Sequence, residues 1–403
     1  MKEKISITSI ASLSPLGSSQ EEIWKAYQNN DHYFSLADIN NAKTWVAPLA
    51  ESANALVKKL RESDSKYKKL DNSVLFAMAA SRMAIQQSGW TNTSEFGINM
   101  GSSRGATKLF EEYHAEYLET GISSTLSSPT TTLGNISSWV SHDLGATGPE
   151  ISHSITCSTG LHSVLNGVAW LTSGMSTKFL VGASEAPLTD FTIAQMKALK
   201  IYAKAPELNS NSLVDNSAVT ERSQNYPCQA LNMNKEYNTM ILGEAASVAC
   251  LEKGVVDHAL AVIEGVGFAT EILKHNTSIS ANAVCFQKSM KMALEGINPA
   301  EVDAVIMHAP GTIKGDSSEY NAIKEVFGEN MPQMTTNKWK IGHTFATSGM
   351  LNLELGVLMM QNNNMISVPF IDHKNKGRDL KKVLVNAVGF GGNAVSILVS
   401  KKE

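Results

Sequence analysis

The chain has 403 residues, 43 % of them apolar, which is enough for a large core and unlike a disordered chain. Its formal net charge of −4 excludes nucleic-acid binding by bulk charge. No stretch approaches the ~20 apolar residues of a membrane span, and the N-terminal "MKEKISITSIASLSPLG" lacks a signal-peptide core, so a cytoplasmic location is expected.

The length predicts about two to three domains or one large α/β unit. In chain order, "KISITSIA" predicts a strand and Asn72 to Gln87 a helix. "FGINMGSS" predicts a strand entering a glycine turn. Leu161, Val164, Leu165, Val168 and Leu171 have helical spacing, which predicts a helix from Leu161 to Ser173. "KFLVGASE" predicts a buried strand, and "AASVACLEK" and "ALAVIEGVGFA" predict further strands. The polar stretch from Pro206 to Tyr226 predicts a surface excursion.

The second half repeats the plan of the first. "MKMALEGINPAEVDAVIMHAPGT" follows the helix, turn, strand and small-residue loop of "SRMAIQQSGWTNTSEFGINMGSS". "ATSGMLNLELGVLMM" overlays "CSTGLHSVLNGVAWL", which aligns Ala346 with Cys157. The following strands, "KVLVNAVGF" and "KFLVGASE", also match. Two α/β halves are therefore expected, residues 1–253 and 254–403, joined near Lys253 to His258.

The four cysteines, Cys157, Cys228, Cys250 and Cys285, lie far apart, with no CxxC pair. No zinc ribbon, redox motif or disulfide framework is expected. Cys157 stands between a strand and a helix in "SITCSTGLHS". A helix N-terminus there lowers a thiol's pKa and exposes a nucleophile, yet a small buried thiol fits the local sequence equally well. His308 ends "VDAVIM" and His343 stands in "KIGHTFATSG", both beside small-residue loops. In a duplicated fold such loops converge on one crevice, so Cys157, His308 and His343 can meet.

Six motifs in order carry a resemblance to the β-ketoacyl-acyl-carrier-protein synthases, elongating members of the thiolase superfamily. They are "ISITSIASLSPLGSSQEEIWKAY", "SITCSTGLHSVLNGVAWL" with its "GASEAPL" tail, "ILGEAASVACLEK", "HAPGTIKGDSSEYNAIKEVFG", "TTNKWKIGHTFATSGM" and "NAVGFGGNAVSIL". The resemblance covers nearly the whole chain. It implies a thiolase-like α/β fold, two duplicated halves stacked as αβαβα layers. The implied reaction is a decarboxylative Claisen condensation of an acyl group held on Cys157 with malonyl on a carrier protein. His308 and His343 would hold the extender's thioester carbonyl. The backbone N–H groups of Cys157 and Phe390 would form an oxyanion hole.

The same resemblance makes Lys338, Asp316 and Glu319 a buried polar network that orients the histidines. Phe390 matches a gating phenylalanine and Thr312 a hydroxyl that contacts pantetheine. No tightly bound cofactor is implied, because phosphopantetheine arrives on the acyl carrier protein. Lys66, Lys68 and Lys69 in "KYKKLD" fall where the family docks that carrier. Two histidines separate the chain from degradative thiolases, which carry a second catalytic cysteine, and from initiating synthases, which pair histidine with asparagine. A homodimer, or a heterodimer with a chain-length-factor-like homologue, is implied. His162, on the helix of Cys157, reads as structural.

Three features depart from the family. Pro310 replaces a threonine, "LNMNKEYNTM" replaces a charged turn, and Arg104 stands where a small or apolar residue lines the acyl pocket. These departures and the N-terminal wording resemble synthases of aryl polyene and flexirubin-type pigment clusters. The competing readings are a non-catalytic chain-length-factor-like subunit and a cysteine acyltransferase or hydrolase without condensation.

Overall fold

The structure, a computed structural model, describes residues 3–91, 95–205, 226–272, 279–371 and 379–402. The expected excursion lies outside the described residues except for Tyr226. In chain order the strands are β1 (Ile5–Leu13), β2 (Ser35–Ile39), β3 (Ala42–Ala47), β4 (Gly97–Gly101), β5 (Glu150–His153), β6 (Lys178–Glu185), β7 (Leu242–Gly243), β8 (Ala245–Lys253), β9 (Ala261–Thr270), β10 (Ala304–Ile306), β11 (Gln333–Thr335), β12 (Lys382–Gly389) and β13 (Asn393–Ser400). Strands β6 and β8 coincide with "KFLVGASE" and "AASVACLEK". Both are buried along nearly their whole length, as continuous apolar runs are when both sheet faces are covered.

One five-stranded sheet has the order β1-β8-β6-β4-β5 and the other β9-β13-β12-β10-β11. The two orders correspond strand for strand. The pairs β1/β8 and β9/β13 are antiparallel, as are β6/β8 and β12/β13. The pairs β4/β6, β10/β12, β4/β5 and β10/β11 are parallel. The chain leaves the first sheet at Lys253 and enters the second at Ala261. A small sheet, β2-β3-β7, accompanies them.

Three apolar clusters define the layers. The helix Asn72–Ser88 covers the outer face of the first sheet through Val74, Leu75 and Met78. The helix Val284–Ala293 covers the outer face of the second through Phe286 and Met290. Between the sheets lie the helix Thr159–Ser173 and its counterpart Ser348–Gln361, sharing Leu161, Val164, Leu351 and Leu355 with both sheets. This is a helix–sheet–helix–sheet–helix stack, the thiolase-like α/β arrangement. The first inner helix starts at Thr159, two residues before the apolar spacing predicts, because the small buried Thr159 and Gly160 form its opening turn.

The inner layer carries a buried carboxyl. Glu354 Oε2 accepts a hydrogen bond from Ser12 Oγ on β1 at 2.7 Å, and burial pushes this carboxyl up to about 7. The folded chain therefore keeps a proton that the unfolded chain releases at lower pH. This lowers stability as pH rises through that window. Glu354→Gln is expected to raise stability at pH 8 by on the order of 2 kcal/mol relative to its effect at pH 4.5, read from urea unfolding. Equal effects at both pH values would show that the carboxyl is ionised on folding.

Candidate active site

Cys157 sits in the turn that joins β5 to the helix Thr159–Ser173. Thr156 takes φ +48°, a left-handed conformation that is costly for a β-branched residue. The turn is held by Ile155 N donating to Thr159 Oγ1 at 2.8 Å and Thr159 N to Thr156 O at 3.2 Å. A backbone strained in this way, and held in it, is a device for presenting one side chain. Cys157 lines a cavity of about 230 Å³, together with His308, His343, Phe345, Thr312 and Phe390.

The histidines arrive from the other half. His308 follows β10 by two residues, and Ala309 beside it has φ +29°. The two imidazoles stand 5.2 Å apart between ring centroids at 86°. His343 Nδ1 lies 2.8 Å from Ser348 Oγ, on the counterpart helix, which fixes that ring and leaves Nε2 for a ligand. Phe345 stacks edge-on against His343 at 5.5 Å. The duplicated architecture thus unites the nucleophile candidate of one half with the histidines of the other.

Electrostatics define the site's resting state. Burial, the Lys338 charge and its neighbour hold His308 well below the usual imidazole value. Burial and Lys338 do the same to His343. Both rings are neutral near pH 7, so each offers one N–H. Lys338 is fully buried, and its Nζ has no hydrogen-bond partner among the described residues. Burial lowers it to about 8, opposed by Glu319 and Cys157. A buried ammonium with open donors suits an incoming carbonyl or carboxylate oxygen.

The thiol differs from expectation. The helix N-terminus predicts a lowered pKa, but burial and then the Glu185 charge push Cys157 up to about 12, against Lys338 and Arg104. Its enclosure outweighs the backbone dipole. The thiol is neutral at rest and must shed its proton during reaction.

The supporting network is also rearranged. Glu319 accepts from the backbone N–H groups of His308 and Ala309, both at 2.9 Å, and so fixes the histidine loop rather than the imidazole. Asp316 does not hydrogen-bond Lys338. Its Oδ2 takes Lys235 Nζ at 2.7 Å and Leu231 N at 2.8 Å, while Oδ1 takes Gly311 N at 3.0 Å. Lys235 and Asp316 are 2 % and 1 % exposed, a fully enclosed ion pair. Lys235 comes from "LNMNKEYNTM", so the segment that lacks the family's charged turn still straps the His308 loop. Removing one partner of such a pair strands the other. Lys235→Met is expected to cost about 3–5 kcal/mol in urea unfolding, with Lys235→Met/Asp316→Asn recovering much of it. A single variant as stable as the parent would remove the strap from the account.

The remaining residues divide. Thr312 lines the cavity, and its hydroxyl accepts from Gly315 N at 3.1 Å, capping the helix Ile313–Phe327. Phe390 is 41 % exposed at the cavity wall, and its carbonyl takes Thr156 Oγ1 at 3.4 Å. Arg104, expected in the acyl pocket, is half-buried and does not line this cavity; its guanidinium carbon lies 5.9 Å over the ring of Phe345, which does. Pro310 is part of the lining. Lys66, Lys68 and Lys69 do not line this cavity. Lys66 lies 3.4 Å from Asp64 and 3.3 Å from His142, and Lys68 and Lys69 border a separate depression with Arg61 and Lys108. His162 Nδ1 faces Ser158 O at 3.1 Å, within its own helix. All four cysteines are free and buried. Among the described residues, no cluster of three or more His, Cys, Asp or Glu could hold a metal, and no helix is long and apolar enough to cross a membrane.

Residues 2–254 match the family described as "Beta-ketoacyl synthase, N-terminal domain", and residues 260–369 match "Beta-ketoacyl synthase, C-terminal domain". The chain is 25 % identical over 433 residues to 3-oxoacyl-[acyl-carrier-protein] synthase 2 of Coxiella burnetii (strain RSA 493 / Nine Mile phase I), covering 99 % of each. Its fold resembles that of the ishigamide ketosynthase/chain length factor, with a TM-score of 0.83, 17 % identity and 100 % of each chain covered. It also resembles AntDE:AntF, a type II ketosynthase in complex with its acyl-carrier protein, with a TM-score of 0.82, 19 % identity and 100 % of each chain covered.

Proposed function

The chain belongs to the β-ketoacyl synthase family, and from that premise we propose how its own residues carry out the condensation. It is a β-ketoacyl-acyl-carrier-protein synthase, an acyltransferase-type enzyme of fatty-acid or polyketide assembly. The meeting of Cys157, His308 and His343 in one cavity carries the assignment of roles. Residues 1–253 supply the nucleophile half and 254–403 the histidine half.

Cys157 Sγ attacks the acyl-carrier thioester. The new C–S bond forms as the carrier's C–S bond breaks, and the thiol proton leaves on the carrier's pantetheine sulfur. Malonyl-carrier then enters past Phe390 and Thr312. The neutral His308 and His343 donate to its thioester carbonyl. Carbon dioxide leaves, and the electron pair becomes an enolate held by those N–H groups. The enolate carbon attacks the Cys157 acyl group, whose oxyanion meets the N–H groups of Cys157 and Phe390. Collapse of this intermediate releases the Cys157 thiolate, which takes one proton from solvent water and closes the cycle. Lys338 holds the histidines neutral and stabilises negative charge nearby.

Phosphopantetheine enters only as part of the acyl carrier protein. Lys66, Lys68 and Lys69 fit electrostatic steering of that carrier, away from the cavity itself. A second ketosynthase-like chain, identical or chain-length-factor-like, completes the assembly. Strand β5 ends its sheet, and the helix Thr107–Thr120 buries none of its residues while exposing Phe110 and Leu118. The growing chain is read as that of an aryl polyene or flexirubin-type cytoplasmic pathway from the departures at Pro310, Arg104 and "LNMNKEYNTM" and from the N-terminal wording. The intact Cys157–His308–His343 set weighs against a non-catalytic subunit.

Incubation with acyl-carrier thioester should add one acyl mass to Cys157, and later malonyl-carrier should yield a 3-oxoacyl product. No adduct overturns the catalytic reading. An adduct without product makes the protein a simple acyltransferase.

A further inference from the structure

The inner helix Ser348–Gln361 is buried along nearly its whole length, and its side chains are apolar except for Ser348, Asn352, Glu354 and Gln361. Ser348 and Asn352 stand four residues apart, one turn along the same face. Ser348 Oγ lies 2.8 Å from His343 Nδ1. Asn352 Nδ2 donates to the carbonyl oxygen of Met307 at 3.1 Å. One face of one helix therefore reaches both histidine segments. The Met307 carbonyl belongs to the same peptide unit as the N–H of His308, and that N–H donates to Glu319 Oε1 at 2.9 Å. A trans peptide is planar, with its C=O and N–H on opposite edges. Asn352 pins one edge of this plane and Glu319 the other. On either side, Met307 N donates to Thr335 O at 2.8 Å and Ala309 N to Glu319 Oε2 at 2.9 Å.

Stability alone does not account for Asn352. It is 0 % exposed, and its Oδ1 has no hydrogen-bond partner among the described residues. A buried amide with one end unpaired is costly between two leucines, Leu351 and Leu353. Its other end spends that cost on the peptide plane from which His308 projects. We propose that Asn352 is a positioning residue: by holding the Met307 carbonyl it aims the His308 imidazole at the extender's thioester, and so serves decarboxylation rather than acylation of Cys157. Cys157 is placed separately, by the Thr156 turn in the other half. The inference rests on His308 and His343 being the decarboxylating pair.

The test compares two reactions of the full chain. Asn352→Leu removes the donor, and Asn352→Ala removes it without adding bulk. Each should lower carbon dioxide release from malonyl-carrier about tenfold in kcat, with KM within about twofold of the parent. The acyl adduct on Cys157, read by intact mass, should form within about twofold of the parent rate, which also shows that the cavity is folded. The effect should pass through His308. In a His308→Ala background, Asn352→Leu should cause no further loss of decarboxylation, whereas a merely structural role would add one. Decarboxylation within twofold of the parent in both variants, an equal loss of the acyl adduct, or a further tenfold loss on top of His308→Ala overturns the inference and leaves the histidine assignment standing. If His308→Ala itself keeps decarboxylation within tenfold of the parent, the histidine assignment falls and this inference falls with it.

Discussion

Replacement of Cys157 by alanine should abolish the acyl adduct and lower condensation by roughly 10⁴-fold or more. The thiol is placed by the strained Thr156 turn, and no other thiol lines the cavity. Thr312 has already committed its hydroxyl to the Gly315 N–H. No other thiol is therefore on hand to take over the attack. Residual adduct formation in Cys157→Ala would move the nucleophile elsewhere. Burial sets the reactivity of the parent thiol, so alkylation by iodoacetamide should still rise about tenfold per pH unit from pH 9 to 10, where a free thiol of pKa about 8.5 levels off. Cys157→Gln gives a different readout. Its carboxamide presents a carbonyl where the acyl-enzyme has one, so decarboxylation of malonyl-carrier should rise above the parent rate without condensation. No rise would count against the histidines as the decarboxylating pair.

His308→Ala and His343→Ala should each lower malonyl decarboxylation by roughly 10²–10⁴-fold while Cys157 still accepts an acyl group. The two rings meet nearly at right angles, so their N–H groups approach one oxygen from different directions. Losing either leaves half of the cradle. The fold should survive both changes, because Glu319 holds the His308 loop through backbone amides and His343 is tied to Ile241 and Gly243 through its own backbone. Decarboxylation within tenfold of the parent, measured by carbon dioxide release, would sink the assignment. So would loss of the acyl adduct as complete as in Cys157→Ala.

Much of this was legible in the sequence where the signal is local. The runs "KFLVGASE" and "AASVACLEK" have apolar or small residues through their middles, and they became the buried strands β6 and β8. The two halves were visible because their strands and helices repeat in order. The cavity residues Cys157, His308 and His343 each close an element beside small residues, so the fold gathers them. What was not legible depends on enclosure or on distant partners. Lys235 and Asp316 are 81 residues apart, and nothing around either names the other. The thiol's high pKa comes from the cluster of Ile193, Met196 and Phe345 around it, which no helix-terminus argument weighs. Ser348 lay in plain view five residues after His343, but only the turn between them aims its hydroxyl at the ring. The direction of Arg104 depended on Gln195 and Thr192, a helix away.

The two inner helices meet through glycine. A Cβ on Gly160 would stand 2.5 Å from Ala346 O and 2.8 Å from Met350 Cγ, and one on Gly349 would stand 2.6 Å from Leu161 Cγ. Gly160 lies three residues after Cys157, and Gly349 six after His343. This contact works as a caliper: the gap across which the enolate must reach is set by how closely two helix backbones touch. One methyl group at that seam would force the two helices apart, and the carbon–carbon bond formed across the gap is the step such a shift touches most directly.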